Sequence, residues 1–349
     1  MGRLDNISNK STYMHKEIHE IPATISRLLQ DSDKNISSAA KAMRDQNPNL
    51  IITIARGSSD HGASFLKYAI EIVAGIPVAS LGPSVNSIYG INLKLNNAAC
   101  LSISQSGASP DIIAATKMAK ISSPLTIALT NQSNSLLGQA VDHEINIAAG
   151  SELSVAATKS FVASIVAGLL LLAKWQQDDL LLAALKTLPD QIEQALKCDW
   201  NKLETSLDPD ESLFVLGRGP SLAIANEVAL KFQEICGIHA QAYSAAEVMH
   251  GPMALIKKNF PLLALCARDG AYQSCVESSQ KLAQYGASVF ITAKDIKNSK
   301  ALDFVATAHP ITDALCLVIP FYIFAESYAR KLGLNPDKPP LLHKVTQTR

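Results

Sequence analysis

Short apolar runs, each closed by a glycine or serine turn and followed by a longer stretch of helical period, recur along the whole chain. This alternation predicts an α/β fold, in which buried strands of a parallel sheet are covered by helices. In the first half the predicted strands are 50–55, 78–80, 99–104, 125–129 and 143–147. In the second they are 212–216, 239–242, 261–266, 288–292 and 306–311. Residues 13–32 read as a helical region restarting at Pro22. The longest strongly apolar run, 161–173, is interrupted by Ser164 and Gly168 and is too short to span a bilayer, so it predicts a buried helix.

The pattern also repeats. LIITIARGSSDHGASFLKYAIEI, beginning at Leu50, sets against LFVLGRGPSLAIANEVALKFQEI, beginning at Leu213, with Arg56 over Arg218 and Gly57 over Gly219. One strand–turn–helix unit used twice implies two similar domains. Residues 176–210 are helical and polar and end at Asp208-Pro209-Asp210, the expected junction. Without a long Gly/Ser linker, the halves should pack on each other.

Composition narrows the picture. A chain of 349 residues with 48% hydrophobic content can build two real cores. Thirty-one Lys+Arg balance thirty-one Asp+Glu, which leaves no electrostatic case for nucleic acid or an anionic membrane. The N-terminal stretch lacks an apolar signal core, so a cytoplasmic protein is expected. Cys100, Cys198, Cys236, Cys266, Cys275 and Cys316 show no ligand spacing and read as free thiols. His15 and His19 are spaced i,i+4 but lack a third ligand, so no metal site is expected.

Candidate chemistry gathers at two places. On the helix after Gly219, the residues Glu227, Lys231 and Glu234 are spaced by four and then three, which puts them on one stripe. Such a stripe reads either as surface ion pairs or as acid/base machinery. His239, Tyr243, Glu247 and His250 follow closely in an Ala-rich stretch that favours the second reading. The other place is Ser104-Gln105-Ser106-Gly107-Ala108-Ser109-Pro110-Asp111. There Ser109 is a fitting N-cap and Pro110 a fitting first helical residue. Hydroxyls beside a helix N-terminus suit a phosphate, or simply cap the helix. No GxxxxGK[ST] motif is present and the 217–219 turn lacks a third glycine, so no nucleotide cofactor is expected. The C-terminal stretch from Leu332, with its prolines and sparse periodicity, reads by composition as a loose terminus.

Over EVALKFQEICGIHAQAYSAAEVMHGPMAL the chain resembles the isomerase half of the glucosamine-6-phosphate synthases, a tandem pair of sugar isomerase (SIS) domains. The resemblance implies two three-layer, flavodoxin-like domains. A helical lead-in (1–30) is followed by SIS domains at 31–195 and 196–335 and by an active-site tail at 336–349. It implies that Glu234 moves a proton between C1 and C2 of an open-chain hexose phosphate. An Ala-rich pocket around Glu234 would suit that task. His250 would assist ring opening, Lys344 would meet the sugar carbonyl, and Lys231 matches a further active-site position. Ser104, Gln105, Ser106 and Ser109 match the phosphate loop, and Ser58 and Ser59 match a second set. Ala108-Ser109 stand where Glu-Thr is common, so the hydroxyl is kept and the carboxylate is not.

The stretch ELSVAATKSF resembles the sugar-lining loop, with Val155 and Thr158 matched and Ala157 where serine is frequent. The synthases' glutaminase domain has no room in this chain. The resemblance therefore implies, without cofactor, a glucosamine-6-phosphate deaminase or a related isomerase or deglycase for a hexose or hexosamine 6-phosphate. It implies a homodimer with a shared active site. A non-catalytic sugar-phosphate sensor is the reading of another class, and it would not need Glu234, Lys231 and His250 together.

Overall fold

The computed structural model describes residues 11–344. The first half runs α1 (Tyr13–His19), α2 (Ile21–Asp31), α3 (Asp33–Gln46), β1 (Leu50–Ile54), α4 (Ser58–Ala74), β2 (Val78–Ser80), α5 (Ser84–Ser87), β3 (Ala98–Ile103), α6 (Pro110–Ser122), β4 (Leu125–Thr130), β5 (His143–Asn146), α7 (Lys159–Gln176) and α8 (Asp179–Ala195). The second runs β6 (Leu213–Gly217), α9 (Pro220–Cys236), β7 (Ala240–Ser244), β8 (Pro261–Ala264), α10 (Tyr272–Gln284), β9 (Ser288–Ile291), β10 (Ser299–Ala301), α11 (Pro310–Cys316) and α12 (Val318–Lys331).

Each half forms a five-stranded parallel sheet, ordered β2-β1-β3-β4-β5 in the first and β7-β6-β8-β9-β10 in the second. Counted within its own half, each sheet has the same strand order, so the repeat in the sequence is a repeat in topology. The central strands β3 and β4 are buried at every position, as helices on both faces require. The match extends to backbone detail. Gly57 (φ 55°, ψ −136°) and Gly219 (φ 63°, ψ −140°) turn the chain from the first strand of each half into helices of 17 residues. Those helices end on Gly75 and Gly237, both at φ 67°, ψ 17°.

The halves do pack together: α4 lies against α9, and one apolar core runs from Met14 on α1 to Ala329 on α12. Among the described residues, Lys159–Gln176 and the continuous stretch Pro310–Lys331 are long and apolar enough to cross a membrane. Their apolar windows are 89% buried inside the protein, the burial of core helices. Thus α7 is the buried helix that the 161–173 run predicted, extended at both ends.

One predicted strand is wrong. Residues 306–309 are irregular and Pro310 opens α11, where its missing N–H costs nothing. The side chain of His309 caps Ile311 N instead. The fifth strand of that sheet is Ser299–Ala301, a short edge strand paired with β9 and lacking an apolar pattern to announce it.

Candidate active site

The strands β1 and β3 end side by side, and the turns that follow them open onto one cavity of about 360 Å³. Ser58 and Ser59 reach it from the Gly57 turn, and Ser104, Gln105, Ser106 and Ser109 from the loop before α6. Val155 and Ala157 form another wall, Glu234 comes from the second half, and Leu342, His343 and Lys344 close it from the tail. Of the residues predicted for the site, Thr158, Lys231 and His250 do not line the cavity.

The serine loop is held tightly. Gly107 sits at φ 59°, and a Cβ there would meet the Ser135 side chain at 2.4 Å. Ser109 is the N-cap of α6 with Pro110 after it, as predicted, but its hydroxyl makes no capping bond and borders the cavity instead. A row of hydroxyls beside the N-terminus of α6 therefore lines one concave surface, a combination that favours a phosphate. Beside it Arg56 Nε lies 3.0 Å from Oδ2 of Asp111, a buried carboxylate.

The stripe on α9 is neither solvated nor simply catalytic. Lys231 is fully buried; its Nζ donates to Glu234 Oε2 (2.7 Å) and Ser58 Oγ (2.9 Å) and forms an ion pair with Glu227 Oε1 (3.0 Å). Desolvation acts to lower the pKa of this ammonium, but the adjacent carboxylates Glu227 and Glu234 prevail and raise it. Glu227, also fully buried, is pushed up by desolvation and down more strongly by Lys231 and His61, ending at about 2. It accepts from His61 Nδ1 (2.9 Å) and Tyr322 OH (3.3 Å) as well. Lys231 is therefore an internal counter-ion that fixes Glu234 at the cavity edge, and the Ala-rich surroundings expected for Glu234 are replaced by this ion pair.

The tail is ordered by polar contacts. Asp337 accepts from Tyr13 N (2.9 Å) and Met14 N (2.8 Å), and its carbonyl accepts from Val155 N (3.0 Å). Leu341 adopts φ 65°, uncommon for a side chain of its size, just before the residues that enter the cavity. Lys344 Nζ donates to Glu152 Oε2 (2.9 Å) and Ser154 O (2.7 Å). Burial pushes the Glu152 carboxyl up, but the Lys344 ammonium and the bonds from Ser160 outweigh it and hold the pKa below its ordinary value. Glu17 on α1 in turn accepts from Leu153 N and the Ser154 hydroxyl, which ties the sugar-lining loop to the N-terminal helices. The last predicted tail residues, 345–349, lie outside the described residues.

The remaining candidates scatter. His250 is exposed in a short 3-10 turn after β7. His239 bonds Ser212 at the other end of the sheet, Tyr243 packs edge-on against Phe214, and Glu247 is exposed. Thr158 is buried at the N-cap of α7, where its Oγ1 has no hydrogen-bond partner among the described residues. Sequence reasoning missed Glu152, His61 and Tyr322. Each is a partner across elements distant in the chain, for which spacing carries no signal.

Comparison with known proteins agrees with the fold. The model of the SIS domain matches residues 46–174 and 206–322. Glutamine–fructose-6-phosphate aminotransferase (isomerizing) of Aquifex aeolicus is 31% identical over 342 residues, covering 95% of this chain and 57% of that protein. The chain thus spans a little over half the length of the curated relatives it matches. Among solved structures, a protein described as a phosphosugar isomerase from Silicibacter pomeroyi is 46% identical with a TM-score of 0.90, covering 94% of this chain and 100% of that one. The C-terminal domain of the glucosamine-fructose-6-phosphate aminotransferase of Francisella tularensis is 27% identical with a TM-score of 0.84, covering 96% and 100%. With two parallel sheets of one strand order and both segments matched, this chain belongs to the SIS domain family.

Proposed function

We propose that this chain deaminates glucosamine 6-phosphate, giving fructose 6-phosphate and ammonia. The observation that carries the reading is the cavity itself, where Glu234 and Lys344 face a loop of serines suited to a phosphate. A carboxylate, an ammonium and an anion site around one sugar-sized space are what a C1–C2 proton shift requires.

In this reading the phosphate sits on Ser58, Ser59 and the 104–109 loop, with Val155 and Ala157 shaping the sugar wall. Lys344 faces the C1 oxygen of the open-chain aldehyde and stabilises the negative charge that develops there. Glu234 removes the C2 proton, which yields the enolamine, and returns a proton to C1. The product carries a hydroxyl at C1 and an imine at C2. Water adds to that imine and ammonia leaves, so the ketose forms with no change in overall oxidation state.

Ring opening needs an acid/base group at the ring oxygen, and His250 is proposed for it. Because His250 stands exposed and away from its own chain's cavity, we assign it to the neighbouring subunit of a homodimer.

The test is ammonia release from the purified protein with glucosamine 6-phosphate, with galactosamine 6-phosphate run beside it and fructose 6-phosphate followed as product. Release with the gluco sugar supports the reading. Silence with both amino sugars, together with interconversion of hexose 6-phosphates, would reassign the chain to a plain aldose–ketose isomerase.

A further inference from the structure

We propose that His61 is a positioning residue for Glu234, acting through Glu227 and Lys231. The proposal rests on the reading of Glu234 as the base. His61 lies on α4, one turn after Ser58, and does not line the cavity. Its Nδ1 is 2.9 Å from Glu227 Oε2 on α9, so the bond crosses from one half of the molecule to the other. Glu227 is fully buried and ionised, and a carboxylate can only accept. The proton of that bond therefore resides on Nδ1 of His61.

From Glu227 the chain of contacts is continuous. Lys231 Nζ donates to Glu234 and Ser58 and is ion-paired with Glu227, and no part of the lysine reaches solvent. Two carboxylates thus share one ammonium in a dry site, and whatever satisfies one of them changes the hold on the other. While His61 and Tyr322 supply donors to Glu227, Lys231 is free to hold Glu234 at 2.7 Å and Ser58 at 2.9 Å. Without the His61 donor, Glu227 Oε2 loses the donor given to it and draws Lys231 toward itself. Glu234 and Ser58, both on the cavity, then lose their placement. A plain packing histidine between α4 and α9 would affect stability and leave turnover per folded molecule unchanged.

Three proteins separate these roles: wild type, His61→Ala and His61→Asn, whose side-chain amide can donate from near the Nδ1 position. For whichever hexose or hexosamine 6-phosphate the wild type converts, kcat of His61→Ala is expected to fall about ten-fold or more with KM within about two-fold. In His61→Asn it should return to within about three-fold of wild type. A second readout needs no substrate. The carboxyl ¹³C resonance of Glu234, assigned by its loss in Glu234→Gln, should be displaced in His61→Ala at fixed neutral pH and restored in His61→Asn.

An unmoved resonance in His61→Ala overturns the proposal, as does a kcat loss that His61→Asn fails to restore. A wild type that converts none of the sugar phosphates would sink the functional reading of the cavity, and the Glu234 resonance would still decide the role of His61.

Discussion

Two lysines close to the same cavity illustrate how surroundings set what a residue does. Lys231 is fully buried between two carboxylates, whereas Lys344 sits on a tail and is held by Glu152 at the cavity edge. Exchanging Lys231 for Met leaves Glu227 as an uncompensated buried charge, and unfolding free energy should drop by about 3–5 kcal/mol in urea titration. Glu234→Gln keeps the shape of the site and removes the proposed base. Its kcat should fall by about 10²–10⁴-fold while sugar-phosphate affinity, measured by calorimetry, stays near wild type. Glu227 gives a pH signature. Its pKa is depressed from 4.5 to about 2, so its stabilisation is complete above the unfolded value and disappears as pH falls through that window. The stability deficit of Glu227→Gln relative to wild type should therefore narrow between pH 4.5 and pH 2, as melting temperatures taken across that range will show. The stripe of Glu227, Lys231 and Glu234 was legible in the sequence because helical spacing alone puts them together. That it is buried, and that His61 and Tyr322 complete it, was not, because those partners come from α4 and α12.

At the scale of elements, the two glycine turns are near-identical in backbone and different in use. Gly57 and Gly219 hold conformations that residues with a Cβ rarely adopt, so replacing either by Ala should cost about 1–3 kcal/mol in denaturant unfolding. Only Gly57→Ala should also weaken binding of a hexose 6-phosphate, since Ser58 and Ser59 line the cavity and Pro220 and Ser221 do not. Strands were readable wherever they lie inside a sheet, because burial on both faces demands a continuous apolar run, as in β1, β3 and β4. The edge strand β10 was not, for an edge is under no such demand: of its residues, Lys300 and Ala301 are exposed. The run 306–311 misled because Thr307 and His309 serve to start a helix, Thr307 bonding Asp313 and His309 bonding Ile311 N.

At the scale of the molecule, one half supplies the serine loop and the other supplies Glu234, and α4 against α9 brings them into register. If His250 comes from a second subunit, a mixture of Glu234→Gln and His250→Ala homodimers, each inactive, should regain about a quarter of wild-type activity after subunit exchange, since half the dimers then carry one intact site. No recovery despite demonstrated exchange would place His250 in the site of its own subunit, and an active His250→Ala homodimer would place it outside the reaction. The sequence by itself determined the repeat, the parallel α/β architecture and the serine turn before α6, because turns, caps and apolar periods are local consequences of residue type; the other cavity residues were implied by the family resemblance. Only the tertiary structure decided which charges meet: that Lys231 serves Glu227 and Glu234, that Glu152 anchors Lys344, and that His250 stays outside. Those outcomes depend on how helices from both halves and the tail pack, and electrostatic pairing across such distances leaves no trace in spacing along the chain.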